Sequence, residues 1–188
     1  GAAIVVAKLA AEKKIHGIIS LGGGGGTAIG TSAMRALPVG FPKLMVSTLA
    51  ASENVPVYIG VKDVVMMPSV VDVAGLNRIS RPIFANATGA ICGMVEAKAP
   101  PAADKPIIAA SMFGNTTDCV NQAKLILEEA GYEVLIFHAT GTGGRAMESL
   151  IESGLVSGVL DLTTTEWADQ LVGGILGAGP PRLEAAAR

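Results

Sequence analysis

Short apolar segments alternate with helix-like segments along most of this chain, and nearly every apolar segment stops at glycine, serine or threonine. The clearest one, residues 16–21, runs directly into five consecutive glycines. A short apolar run that ends at a turn is typical of a strand buried on both faces. Because strands that alternate with helices form parallel sheets with right-handed crossovers, the sequence predicts an α/β protein with Rossmann-like parallel sheets.

The two halves of the chain repeat this alternation. In the first half we predict helices over 1–14, 27–37 and 76–98 and strands over 16–21, 43–49, 57–60 and 64–67. In the second half we predict strands over 107–112, 133–138 and 157–162 and helices over 117–131, 144–153 and 165–176. The sequence contains no short-period repeat, so the likeness between the halves is one of architecture.

A proline-rich segment separates the halves. Residues 99–106 lack aliphatic periodicity and contain three prolines, which is typical of a linker. We therefore predict a first α/β domain over 1–98, a linker over 99–106 and a second α/β domain over 107–188. Because the chain begins inside a helix and each half has few strands, we expect both domains to be incomplete and the chain to be an internal fragment. Incomplete sheets expose apolar edges, so we also expect a homo-oligomer.

Composition narrows the classes of function. Half of the 188 residues are hydrophobic and only 4% are aromatic, so the core must be aliphatic. The net charge is −2 and the basic residues are scattered, which argues against nucleic acid as a partner. No apolar run reaches the roughly 18 residues of a membrane span. Two cysteines are too few for a disulfide framework or a zinc site. Together these features indicate a cytoplasmic protein without a metal centre.

The strongest candidate for a binding site is the turn after residues 16–21. Glycines at the junction of a strand and a helix let backbone N–H groups converge on an anion, and the helix dipole adds about half a positive charge. The lysine of a Walker loop is absent, and the alternative interpretation is a flexible strand-to-helix turn. We favour phosphate binding, with further hydroxyls from the neighbouring strand end. The predicted ligand residues of this region are Gly22, Gly23, Gly24, Gly25, Gly26, Thr27, Ser47, Thr48 and Ser52.

A second glycine-rich turn follows residues 133–138 and opens the next predicted helix. Its predicted ligand residues are Thr140, Gly141, Thr142, Gly143 and Gly144. His138 has an unperturbed pKa suited to general acid–base chemistry, and Arg145 can pair with a phosphate or a carboxylate. With Glu166, these two residues are the candidates for catalysis, although a structural histidine and a helix-capping role for the 163–166 segment are the alternatives. Arg78 and Arg81, predicted on one helical face, are further candidates for phosphate binding, and a solvated helix face is the alternative interpretation.

These segments together resemble the Tm-one-like ATP-binding domain proteins of bacteria, fungi and plants. The resemblance covers essentially all 188 residues. It rests on the first glycine turn and on the segments 33–38, 42–52, 72–81, 112–117, 137–148 and 161–166. In this family the five-residue turn usually carries a serine, and Gly24 stands in that place.

The resemblance implies a two-domain α/β protein that binds ATP, with or without Mg²⁺, in its first domain. Residues 22–27 with Ser47, Thr48 and Ser52 would then belong to the nucleotide site. Whether the chain is an enzyme stays open. A transferase or hydrolase that uses a cleft between the lobes is one alternative, and a protein-interaction module with a structural nucleotide is the other, because the plant member inhibits viral replication by binding the viral replication protein.

Overall fold

The protein is described here by a computed structural model that covers residues 1–101 and 103–188. Contacts between Cα atoms divide the chain into two compact units, Gly1–Pro100 and Pro101–Arg188. Ala102, which falls in the predicted linker, lies outside the described residues.

The first unit is a three-stranded parallel sheet with helices on both faces. Its elements are α1 (Ala2–Ala11), β1 (Ile18–Gly22), α2 (Gly24–Arg35), β2 (Lys43–Ser47), α3 (Val55–Ile59), β3 (Val65–Pro68) and α4 (Ser80–Glu96). The strand order is β1-β2-β3, and Gly22, Ser47 and Pro68 are in register at the carboxyl edge.

The central strand β2 divides the core of this unit between two sets of helices. Leu44 and Val46 pack with Ile91 of α4, whereas Met45 packs with Met34 of α2. All five residues of β2 are buried. A strand buried on both faces explains why Leu44, Met45 and Val46 are consecutive apolar residues that do not alternate with polar ones.

The second unit is also a three-stranded parallel sheet. Its elements are β4 (Ile107–Met112), a 3₁₀ turn (Gly114–Thr116), α5 (Thr117–Glu129), β5 (Glu133–His138), α6 (Thr142–Glu152), β6 (Gly158–Asp161), α7 (Thr165–Val172) and a second 3₁₀ turn (Ala185–Ala187). The strand order is β5-β4-β6. The chain passes from β4 to β5 on one side of β4, and then crosses to β6 on the other side. The crevice between the carboxyl ends of β4 and β6 is the position where open parallel sheets place ligands.

The predicted fold class is confirmed, and some local predictions are wrong. Residues 57–60 were expected to form a strand, but residues 57–59 belong to α3. Pro56 presets the helical φ in the first turn, and Gly60, with φ 60°, ends the helix. The helix after β1 begins at Gly24 rather than at Thr27. Three glycines of the predicted turn are therefore the first turn of that helix.

None of the helices in the described part of the chain has the length and apolar character needed to cross a bilayer.

Candidate functional site

The first glycine-rich turn leaves the amino terminus of α2 open. Gly23 is the N-cap residue, and Gly24, Gly25 and Gly26 form the first helical turn. The first N–H groups of an α-helix have no partner within the helix. Among the described residues no side chain caps this end, and the first turn holds no acidic residue. The amides of this turn are therefore available to an anion from outside the protein.

Packing explains some of these glycines and leaves two unexplained. A Cβ atom added at Gly22 would lie 2.8 Å from the Cα atom of Gly26, so a larger residue does not fit there. At Gly24 and Gly25 an added Cβ atom would meet no described residue within 4 Å, and neither glycine has a positive φ. Glycine in a helix costs about 0.5–1 kcal/mol relative to alanine. The fold therefore gains nothing from glycine at these two positions.

Two predicted ligand residues instead hold the turn in place. Thr27 and Ser47 are both fully buried, and their hydroxyl oxygens lie 2.6 Å apart. Ser47 Oγ also accepts the N–H of Leu49 at 2.9 Å. Because this pair joins α2 to the end of β2, it fixes the position of the helix terminus rather than facing solvent.

The other two predicted residues of the first unit lie in the segment after β2. A Cβ atom added at Gly23 would be 3.6 Å from Thr48 Oγ1, and the N–H of Thr48 donates to the carbonyl of Gly22 at 3.2 Å. Thr48 therefore lies directly beside the open helix terminus. The hydroxyl oxygen of Ser52 is buried and has no hydrogen-bond partner within the described residues.

The second glycine-rich turn has the same strand–turn–helix form, but its amides are already occupied. Glu166 Oε1 accepts the N–H of Gly141 at 2.7 Å and the N–H of Gly144 at 3.0 Å. Glu166 is fully buried. Its carboxylate sits where an anion binds at the start of a helix, so the amino terminus of α6 is closed by the protein itself.

The glycines of this second turn are all required by packing. Gly141 has φ 82°, and an added Cβ atom would lie 2.9 Å from the carbonyl oxygen of Gly177. At Gly143 an added Cβ atom would clash with the carbonyl of His138, and at Gly144 with the carboxylate of Glu166. Glycines follow a strand in both turns. Packing requires them in the second turn, but it does not require Gly24 and Gly25 in the first.

Glu166 belongs to a buried cluster of charges that the sequence analysis did not identify. Arg182 is 2% exposed and donates from Nε to Glu166 Oε2 at 2.7 Å. Its other nitrogens donate to both carboxylate oxygens of Asp161 and to Glu148. Burial alone lowers the pKa of the Arg182 guanidinium, but the hydrogen bonds and charges of Asp161 and Glu166 outweigh this effect and raise it. No sequence spacing relates these four residues, so only the fold could bring them together.

The remaining candidates of the second unit lie at its surface. His138, Thr140, Thr142 and Arg145 are exposed. Arg145 Nε donates to the carbonyl of Gly141 at 3.3 Å. The interpretation of 163–166 as a capping box of α7 is wrong, because the Glu166 carboxylate bonds the start of α6 instead.

The predicted pair of arginines in the first unit is not a helical pair. The helix α4 begins at Ser80, because the Asn77 side chain accepts the N–H groups of Ile79 and Ser80. Arg81 is in this helix and Arg78 precedes it. The prediction that both lie on one helical face is therefore wrong.

Comparison with known proteins relates the whole chain to one family. Residues 1–100 match the N-terminal domain of the Uncharacterised protein family (UPF0261), and residues 105–188 match the C-terminal domain of the same family. A UPF0261 protein of Clostridium tetani is 60% identical over 187 residues, which are 99% of this chain and 46% of that protein. A UPF0261 protein of Mesorhizobium japonicum is 55% identical over 174 residues, 93% of this chain and 43% of that protein.

A plant protein is also similar. The ToMV resistance protein Tm-1(GCR237) of Solanum lycopersicum is 46% identical over 180 residues, which are 93% of this chain and 24% of the plant protein. The chain spans somewhat under half the length of the bacterial relatives. The predicted resemblance to bacterial proteins and to a plant virus-resistance protein is confirmed, and the ATP-binding activity that it implied stays a prediction.

Proposed function

This chain belongs to the uncharacterised protein family UPF0261, and we propose that it binds the phosphate groups of a nucleotide, with ATP as the expected ligand, at the amino terminus of α2. The observation that carries this proposal is the open start of α2, where two exposed glycines serve no packing purpose. Glycine at such positions lets a ligand approach the main chain closely, without a Cβ atom in the way.

The electrostatics of the turn favour an anion. The aligned peptide dipoles of α2 place about half a positive charge at its start, and the unpaired N–H groups point along the same direction. No acidic side chain occupies the first turn. A phosphate placed beside Gly24 and Gly25 would therefore gain both hydrogen bonds and a favourable dipole.

Hydroxyl groups around the turn supply the next contacts. Thr48 lies beside Gly23 at the carboxyl end of β2, within reach of a group bound on the helix terminus. The buried pair Thr27 and Ser47 keeps the terminus fixed before any ligand arrives. A site whose donors are held in place loses less entropy when it binds.

The second glycine-rich turn does not support a phosphate site of the same kind. Its Gly141 and Gly144 amides bond to Glu166. Glu166 itself is fully buried and bonded to Arg182, so the geometry offers it a structural role rather than a catalytic one. The proposed binding function therefore rests on the first unit, and no reaction is assigned.

The test separates ligand binding from stability by removing the unexplained glycines. In the doubly substituted Gly24→Ala/Gly25→Ala chain, we expect higher thermal stability, because alanine favours the helix by roughly 0.5–1 kcal/mol per site. We expect the same change to weaken ATP and pyrophosphate binding at least tenfold, because two methyl groups then face the ligand. Isothermal titration calorimetry measures the affinity, and amide chemical shifts of residues 24–26 locate the site.

A matched control is available in α4. Gly89 and Gly93 are exposed helical glycines at which an added Cβ atom meets no atom of the described residues within 4 Å. The Gly89→Ala/Gly93→Ala chain should gain similar stability and keep the affinity of the parent chain. Binding that is equal in the parent and in the Gly24→Ala/Gly25→Ala chain, or nucleotide-induced shifts confined to other residues, would contradict the proposal.

A further inference from the structure

We propose that residues 176–185 form a strap that is latched by Arg182, and that docking of this strap keeps the amino terminus of α6 closed. The strap follows α7 in the second unit. It contacts Gly141 of the second glycine-rich turn and three carboxylates, of which Glu148 and Glu166 are buried.

The strap covers the second glycine-rich turn directly. Gly141 is buried, and the carbonyl groups of Leu176 and Gly177 lie so close to it that an added Cβ atom would be 3.0 Å and 2.9 Å from their oxygens. The turn is therefore closed from two sides. Glu166 bonds its amides, and the first residues of the strap lie over its backbone.

Arg182 is the side chain that holds the strap in place. Its guanidinium donates to Glu166 Oε2 at 2.7 Å, to Asp161 Oδ1 at 2.8 Å and to Glu148 Oε1 at 3.1 Å. Arginine presents five donors in a planar fork, so it can serve three carboxylates at once. The Arg182 side chain is 1% exposed, so its guanidinium is shielded from bulk water.

The strap backbone is bound by the same acidic residues. Glu148 Oε1 accepts the N–H of Leu183 at 2.7 Å, and Glu148 Oε2 accepts the N–H of Ala185 at 2.9 Å. In addition, Trp167 Nε1 donates to the carbonyl oxygen of Arg182 at 2.9 Å. The strap is thus attached to α6, β6 and α7 through one connected set of bonds.

Charge balance connects Arg182 of the strap with the second glycine-rich turn. Within the described residues, the buried carboxylates of Glu148 and Glu166 and the partly exposed carboxylate of Asp161 share one cation, Arg182. Removing one partner of a buried ion pair leaves an uncompensated charge, which is strongly unfavourable. Without the guanidinium the buried carboxylates of Glu148 and Glu166 need water, and the docked strap limits its access to them. We therefore expect release of the strap to expose Glu166 to water, which then competes with the Gly141 and Gly144 amides for its carboxylate.

The single tryptophan of the chain makes this step measurable. In the Arg182→Ala chain we expect the Trp167 emission to shift to longer wavelength, because its indole N–H loses the strap carbonyl. Hydrogen exchange followed by NMR should show at least tenfold faster exchange at the Gly141 and Gly144 amides, while the amides of β4 stay protected. The Arg188→Ala chain is the control, because Arg188 pairs only with exposed Glu184 in the contacts described, and it should leave both signals unchanged.

A second, milder variant keeps the proposal testable if Arg182→Ala unfolds the whole second unit. Glu148→Gln weakens the contacts to the strap but leaves Asp161 and Glu166 paired with Arg182. The proposal stands if one of these variants shows the Trp167 shift together with faster exchange at Gly141 and Gly144 while β4 remains protected. Every other combination, including a shifted Trp167 with unchanged glycine amides, overturns it.

Discussion

At the scale of single residues, hydroxyl groups and glycines set the geometry of the two strand-to-helix turns. Thr27 and Ser47 form a buried pair that joins α2 to β2. In the second unit, Gly144 leaves room for the carboxylate of Glu166. Each contact involves a defined pair of atoms, so the effect of a single substitution at these positions can be assigned to one interaction.

Replacing Thr27 by valine keeps the shape of the side chain and removes its hydroxyl. Ser47 Oγ then loses a buried partner, and an unsatisfied buried group costs about 1–3 kcal/mol. We expect the Thr27→Val chain to lose that amount of unfolding free energy in urea denaturation. Thr88→Val in α4 is the control, because Thr88 is exposed, and it should change stability by less than about 0.5 kcal/mol. Equal effects in both variants would show that the Thr27–Ser47 bond contributes nothing.

Alanine at Gly144 should act in the opposite direction to alanine at Gly24. The added methyl group clashes with the Glu166 carboxylate, which is itself fixed by Arg182. Overpacking of this kind typically costs 1–3 kcal/mol, so we expect thermal unfolding of Gly144→Ala at a clearly lower temperature than that of the parent chain. Gly24→Ala should unfold at a higher one. A tolerated Gly144→Ala would mean that the Glu166 contact can be rearranged without cost.

At the scale of secondary-structure elements, the close approach of α2 to the sheet depends on a glycine in the middle of the helix. A Cβ atom added at Gly30 would lie 2.6 Å from Ser20 Oγ and 3.1 Å from Met45 Sδ. The helix therefore packs closely on β1 and β2, and this contact brings its amino terminus beside Thr48.

Substitution of Gly30 by alanine tests this packing. Although alanine favours a helix, the methyl group forces α2 away from the sheet, and we expect a net loss of about 1–3 kcal/mol in unfolding free energy. The same substitution at Gly89, which faces solvent in α4, should stabilise the chain. Chemical denaturation of both variants gives the comparison, and a stabilised Gly30→Ala chain would show that α2 can move outward freely.

At the scale of the whole molecule, the described core clusters stay within one unit. Leu44 belongs to a cluster of the first unit, and Met147 is fully buried in the second. Cooperative unfolding follows shared core contacts, so units with separate cores commonly unfold as separate steps.

Core substitutions in each unit should therefore affect different unfolding transitions. Large-to-alanine changes at buried sites cost about 2–5 kcal/mol. We expect Met147→Ala to lower the urea midpoint of the Trp167 fluorescence transition, because Trp167 is in the second unit. Leu44→Ala should leave that midpoint in place and lower only the circular-dichroism transition of the first unit. A shift of the Trp167 midpoint in both variants would instead indicate one cooperative molecule.

The sequence by itself determined the α/β class, because strand and helix periodicities are local and each apolar run ends at a turn. Strands β4 and β5 were predicted to the residue for the same reason. The start of α2 was predicted wrongly because glycine has weak local preferences. Whether these glycines form a loop or the first turn of a helix depends on the contact of Thr27 with Ser47.

Only the tertiary structure decided which of two similar glycine-rich turns is open. The difference depends on Glu166, which is 22 residues from Gly144 and becomes its partner through the crossover from β5 to β6. Arg182, Asp161 and Glu148 likewise meet only when β4 and β6 pair. Contacts between distant residues depend on chain topology rather than on local spacing, and for this reason the sequence revealed the two glycine-rich turns but not which of them the protein closes with its own carboxylate.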